Sequence, residues 1–145
     1  MIAIGADHGG FELKEHIVKY LKDKGVDVKD YGTYSEDSVD YPDCAAPVCK
    51  AVQNKEAECG ILICGTGIGI SMAANKYKGI RAALCSDVYS AKMTKQHNNA
   101  NIICLGGRVT GRELAFMIVD AWMNAEFEGG RHQNRIDKIH AAEQL

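Results

Sequence analysis

"CGILICGTGIGISMAANK", residues 59–76, decides how the chain is read. Its first six residues, Cys59–Cys64, form an apolar run without charge, which fits a strand buried on both faces of a sheet. The run breaks into Gly65, Gly67 and Gly69, residues that let backbone approach a ligand closely, and then into a helical pattern. Strand, glycine turn and helix together make the layout of a phosphate- or nucleotide-binding loop. Yet Cys64 stands where the strand gives way to the turn. Either it is core filler, or the loop is built around its sulfur.

The same unit recurs on both sides. "MIAIG" predicts a strand, followed by "ADHGG" and a helix with Leu13, Ile17, Tyr20 and Leu21 on one face, ended by Gly25. Val26, Val28 and Tyr31 predict a second strand. "GTYSEDSVDYPD" reads as a polar loop, and the helix after it carries Val48, Ala51 and Val52. "IRAALC" and "NIICLGG" are the fourth and fifth strands. Thr110 and Glu113 have the spacing of a capping box for a helix through Trp122. A tail helix over about 131–142 is expected to turn Ile136 and Ile139 inward. Strands alternating with helices imply an α/β fold with one parallel, doubly wound sheet in a single domain spanning 1–145. Ligands in such folds bind beyond the C-terminal strand ends. "ADHGG", "CGTGIG", "CSDVY" and "GGR" are expected there, together with "QHNN".

Composition narrows the classes. The chain has 145 residues, 46% hydrophobic and 25% charged, with a net charge of −2. No basic surplus marks a nucleic-acid binder. No apolar run reaches the length of a membrane span, and the N-terminal residues lack the pattern of an export signal. The six cysteines contain no C-x-x-C pair, so reduced thiols in the cytoplasm are expected. Histidines and cysteines do not cluster along the chain, and neither a metal nor another cofactor is expected.

The glycine loop fails the familiar fingerprints. Its spacing is G-x-G-x-G, and Ile70 stands where a dinucleotide loop needs its third glycine. Asp87 lies about where an NAD-binding acid would sit, but the unit is the third and not the first. A Gly-Lys-Ser/Thr ending is absent. What remains is an anion nest beside a sulfur placed to act as nucleophile or base. That pairing suits proton abstraction next to a carbonyl, where the oxyanion needs donors. Arg131 and Arg135, four apart on the tail helix, and Arg108 after the "LGG" turn are candidate phosphate ligands. His8 and His97 stand at strand ends.

"GADHGGFELK", "DYPD", "CGTGIGISMAANK", "KQHNNANIICLGGR" and "GGRHQNRIDKI", in this order along nearly the whole chain, resemble the ribose/galactose isomerase family. The resemblance implies a metal-free aldose–ketose isomerase of sugar phosphates in the pentose phosphate pathway. It implies a Rossmann-like five-stranded sheet in order 2-1-3-5-4, in a homodimer with active sites shared between chains. Cys64 then corresponds to the proton-abstracting base, and Gly65, Thr66, Gly67, Ile68 and Gly69 with Ser71 to the loop that stabilises the enediolate. His97 corresponds to the acid that opens the sugar ring, assisted by Thr66. Asp7, His8, Tyr41 and Asn98 match substrate-binding positions, and Arg108, Arg131 and Arg135 phosphate ligands. A branch of the family carries a glutamate base six positions after Cys64; Ile70 stands there, which places this chain with the cysteine branch. Allose-6-phosphate or galactose-6-phosphate isomerisation is the nearest alternative. A non-catalytic nucleotide-binding module is the alternative from another class.

Overall fold

A computed structural model describes residues 1–145. Five strands, β1 (Ile2–Ala6), β2 (Val28–Asp30), β3 (Cys59–Cys64), β4 (Ala82–Leu84) and β5 (Ile102–Gly106), form one all-parallel sheet in the order β2-β1-β3-β5-β4. Helices α1 (Phe11–Asp23), α2 (Tyr41–Gln53), α3 (Ile68–Ala74), α4 (Val88–Asn98) and α5 (Arg112–Asn124) connect and follow them, and α6 (Arg131–Ala141) closes the chain with a short 3₁₀ turn. This is the expected Rossmann-like three-layer arrangement.

Alternation along the strands divides the core. Ile4, Ile61, Ile63, Ile103 and Leu105 face α1 and α5, with Ile17, Leu21, Ile118 and Trp122 packed against them. Ala3, Leu62, Ile102 and Cys104 face α2 and α3, with Val48, Cys49 and Ile70. Burying each large aliphatic side chain contributes about 1.5–3 kcal/mol, so the central strands are fixed in register from both sides. Cys64 follows this alternation and turns to the α2–α3 face.

Three local expectations differ, and one buried charge was not foreseen. Thr110 caps nothing: α5 begins one residue later, after Gly111, because the Thr110 N–H is taken by Gly106 O at 2.9 Å. Ile139 is 53% exposed while Ile136 is buried, since α6 presses only one narrow face on the molecule. "YPD" is the first turn of α2, with Pro42 at a position where its missing N–H costs nothing. Lys14, beside the apolar stripe of α1, is fully buried and paired with Asp30 at 2.6 Å and Glu15 at 2.8 Å. That pair ties α1 to the end of β2.

Candidate active site at the C-terminal edge of the sheet

Three loops leave the C-terminal edge side by side: β1–α1, β3–α3 and β5–α5. Glycines let their backbones touch. A Cβ on Gly10 would lie 2.5 Å from Ile63 O, one on Gly107 2.5 Å from Gly9 O, and one on Gly106 2.7 Å from Thr66 O. No side chain fits such gaps. Hydrogen bonds then lock the loops: Asp7 N–H donates to Ile63 O (3.1 Å), Gly107 N–H to Cys64 O (2.8 Å) and Arg108 N–H to Gly65 O (3.0 Å). Asp7, itself buried, accepts from Gly9 N–H at 2.9 Å and Gly10 N–H at 3.2 Å, which fixes the first loop.

Cys64 sits at the centre of this edge, 5% exposed. Gly67 adopts φ +81°, a conformation glycine takes without strain, and its N–H donates to Cys64 Sγ at 3.1 Å. Of the six sulfurs, this one alone receives a backbone N–H. Burial pushes the thiol of Cys49 up to about 12, those of Cys59 and Cys85 up to about 11, that of Cys104 well up, and raises that of half-buried Cys44. Thr66 is exposed, and its Oγ1 accepts Ile68 N–H at 3.2 Å; Ser71 Oγ donates to Ile68 O at 2.7 Å. Gly69 lies inside the first turn of α3 and not ahead of it. Its missing side chain makes room for the Tyr41 ring, whose Cζ would be 2.7 Å from a Cβ there. Ile70, fully buried, is core.

A cleft of about 750 Å³ opens along the first and third loops, lined by His8, Gly9, Gly107 and Arg108, with Glu12, His16, Glu36 and Arg112 further out. His8 Nδ1 accepts Val39 N–H at 3.2 Å, which leaves Nε2 to carry the proton of the neutral ring. Arg108 is exposed, and its Nη1 would be 3.4 Å from a Cβ on Gly65. Asp87 has a different task from the one its position invites: it caps α4, accepting Ser90 N–H at 2.7 Å, and that bond holds its carboxyl below the usual range.

His97, Asn98, Arg131 and Arg135 are elsewhere. Helix α4 returns from β4 to the start of β5, so "QHNN" lies at the N-terminal edge of the sheet, contrary to the expected convergence. Asn101 O accepts Gly60 N–H there at 2.9 Å, whereas Cys64 pairs with Gly106 at the other end of the same two strands. From Gly60 to Cys64 a strand climbs about 13 Å. The three arginines therefore form no clamp within one chain. Arg108 stands with Cys64, while Arg131 and Arg135, both exposed, stand on α6 with His97.

At this second edge His97 stacks on His132, ring centroids 4.3 Å apart and 10° from parallel, and Glu128 lies beside both. Histidines distant in sequence thus do cluster, since α4 and α6 pack together. Sequence reasoning passed over Glu128 and His132; their spacing of four spans Gly129 and Gly130, which break any helix that would have given it meaning. No helix of the protein is long and apolar enough to cross a membrane.

Known proteins resemble this chain along nearly its whole length. Ribose-5-phosphate isomerase B of Escherichia coli (strain K12) is 56% identical over 143 residues, covering 99% of this chain and 96% of that protein. The Clostridium thermocellum ribose-5-phosphate isomerase B structure superposes with a TM-score of 0.98 at 54% identity, covering 99% of this chain and 97% of that one. The Mycoplasma genitalium ribose-5-phosphate isomerase B, solved with bound ribulose-5-phosphate, gives 0.93 at 47% identity, covering 99% and 95%. Residues 2–139 match the profile of the Ribose/Galactose Isomerase family, and with a match of that extent the chain belongs to it.

Proposed function

We propose that this protein interconverts ribose 5-phosphate and ribulose 5-phosphate in the pentose phosphate pathway, as one catalytic domain, without a cofactor. The observation that carries the reading is the Cys64 sulfur, held at the C-terminal edge of a parallel sheet with the Gly67 N–H aimed at it from 3.1 Å. Identity of 56% to the Escherichia coli enzyme supports the same substrate.

In this mechanism His97 protonates the ring oxygen and opens the sugar, with Thr66 assisting. Cys64 Sγ takes the proton from C2, and the electron pair of that bond forms the C1–C2 double bond of an enediolate. Backbone N–H groups of the Gly65–Gly69 loop, with Ser71, receive the negative charge that develops on oxygen. The O2 proton passes to O1 and the abstracted proton is returned to C1, so C2 becomes the carbonyl of ribulose 5-phosphate. Asp7, His8, Tyr41 and Asn98 bind the sugar hydroxyls; Arg108, Arg131 and Arg135 bind the phosphate.

The base and the acid stand at opposite edges of one chain, so this chemistry requires a second copy. We place His97, Asn98, Arg131 and Arg135 of one protomer at the Cys64 edge of its partner, in a two-fold dimer with two equivalent sites. Exposed apolar side chains next to the loop, Ile68, Met72 and Leu84, support this assembly. The cytoplasm is the proposed location.

The test is turnover by the purified protein with EDTA present, followed as ribulose 5-phosphate formed from ribose 5-phosphate. Parallel reactions contain allose 6-phosphate and galactose 6-phosphate. Fastest turnover is expected on the five-carbon sugar. No turnover of ribose 5-phosphate, or a higher kcat/KM on a six-carbon sugar, would overturn the assignment.

A further inference from the structure

Arg81 stands just ahead of β4 and reaches the ends of two helices at once. Its backbone is fixed to the start of β5: the N–H donates to Asn101 Oδ1 at 2.8 Å, and the carbonyl accepts Asn101 N–H at 3.2 Å. From that anchor the half-buried guanidinium spreads its donors. Nε donates to Asn98 O at 3.0 Å and Nη2 to Asn99 O at 2.8 Å. Nη1 meets His140 Nε2 at 2.7 Å.

Each bond falls where a helix needs one. Asn98 ends α4 and Asn99 caps it with φ +44°, so their carbonyls lack partners within the helix and lie at the negative end of its dipole. His97 and Asn98 stand on that last turn. His140 lies in the last turn of α6, the helix of Arg131 and Arg135. A guanidinium only donates, so His140 Nε2 accepts. Nδ1 then carries the proton of the neutral ring and donates to Glu143 Oε1 at 2.8 Å. The same Glu143 oxygen accepts Gly79 N–H at 3.0 Å, which closes the chain of bonds on the loop before β4. Apolar packing contributes little at this end of α6: Ile139 is exposed and lines an open hollow of about 570 Å³ with Tyr77, Thr94 and Asn98. The buried residues of α6, His132 and Ile136, belong to its first two turns.

We infer that Arg81 is a positioning residue for the reaction: one guanidinium holds the turn of α4 that carries His97 and Asn98 and, through His140, the helix that carries Arg131 and Arg135. The inference rests on the ring-opening, sugar-binding and phosphate-binding roles proposed for those four residues. Loss of the fork frees all four together, and a misplacement of about 1 Å can cost about a hundredfold in rate.

Arg81→Gln, His140→Leu and His140→Gln are compared with the parent chain in steady-state turnover of ribose 5-phosphate and in amide hydrogen exchange. Arg81→Gln releases both helix ends, so KM should rise and kcat should fall, each about tenfold. His140→Leu releases α6 alone, so KM should rise about fivefold with kcat nearly unchanged. His140→Gln keeps an acceptor for Arg81 and should restore KM to near the parent value. Exchange should quicken at residues 97–99 and 131–141 in Arg81→Gln, and at 131–141 alone in His140→Leu, with Cys59–Cys64 unchanged. A residue serving stability alone would lower Tm and the active fraction and leave the KM of the folded protein at the parent value. Parent-like KM in both Arg81→Gln and His140→Leu would overturn the proposal. If Arg81→Gln does not fold, equal KM in His140→Leu and His140→Gln would overturn it. If the parent chain does not turn over ribose 5-phosphate, the proposed function fails, and exchange still decides whether Arg81 holds the two helix ends.

Discussion

The two edges of the sheet are built by opposite means. At the C-terminal edge, position is set by backbone: three loops touch through glycines and share hydrogen bonds, and the proposed base, Cys64, is almost enclosed. At the N-terminal edge, position is set by side chains on α4 and α6: Asn98, Arg131 and Arg135 are exposed, and His97 is half-buried against His132. The first arrangement suits a base and an oxyanion, which need fixed dipoles and little water. The second suits the capture of a charged, flexible ligand, where long cationic side chains reach and adjust. In the proposed mechanism neither edge is sufficient for isomerisation by itself.

The largest effect is expected where the enclosed edge loses its proposed base. Cys64→Ala should lower kcat by about 10²–10⁴-fold, the usual range for a general base, while calorimetry shows sugar-phosphate affinity nearly unchanged. Loss of a proton-transfer group falls on the transition state rather than on ground-state binding. Near-normal kcat in this variant would make Cys64 another buried thiol like Cys104.

At the exposed edge the loss should appear in affinity. Arg131→Ala and Arg135→Ala each remove charge-assisted bonds to phosphate, and KM should rise about tenfold to a hundredfold. Inorganic phosphate should inhibit the parent chain and these variants much less. Some fall in kcat is expected too, since phosphate binding also drives the chemical step. Unchanged KM in both variants would leave Arg108, at the other edge, as the phosphate site.

The proposed dimer would bring the edges together, and mixing tests this directly. Cys64→Ala and His97→Asn proteins are each inactive alone. After random subunit exchange half the dimers are mixed, and each mixed dimer has one site with both residues intact, so activity should return to about a quarter of the parent value. Mixing that restores nothing would mean that His97 serves its own chain, across a sheet about 13 Å deep.

The contrast also explains what could be read from the residues alone. Cys59–Cys64 was legible as a strand because a strand buried on both faces must be apolar throughout, and β1 and β5 followed from the same rule. β2, at the sheet edge, was read instead from Val26, Val28 and Tyr31. The glycine loop was legible because close backbone approach leaves only glycine as a choice. Position in space was not. "QHNN" was expected beside Cys64, but a crossover helix in a parallel sheet runs against the strands and delivers its C-terminus to the opposite edge. Pairings across the chain were equally hidden: Lys14 with Asp30, Tyr41 over Gly69, His97 on His132. Each depends on where the sheet order places the elements, and no local spacing records that. The capping box at Thr110 failed for the opposite reason, a local signal overridden when the β5–α5 loop took its N–H.

The smallest effect separates Cys64 from the thiols that only fill space on its side of the sheet. Burial raises the Cys49 thiol from the ordinary 9.0 to about 12. Between those values the unfolded chain releases the Cys49 proton and the folded chain keeps it. The folded state then binds more protons, so this contribution to stability is fully present below about pH 9 and is lost as pH climbs toward 12. Cys59 and Cys85, raised by burial to about 11, act in the same direction over a narrower window. Urea unfolding from pH 8 to 11 should therefore show stability falling with pH. Cys49→Ala should be less stable than the parent at pH 8, because it leaves a small cavity beside Leu62 and Cys104, yet its stability should fall less steeply above pH 9. Parallel declines in the two proteins would mean that Cys49 ionises as easily folded as unfolded, and the interior of the α2–α3 face would then be wetter than its packing implies.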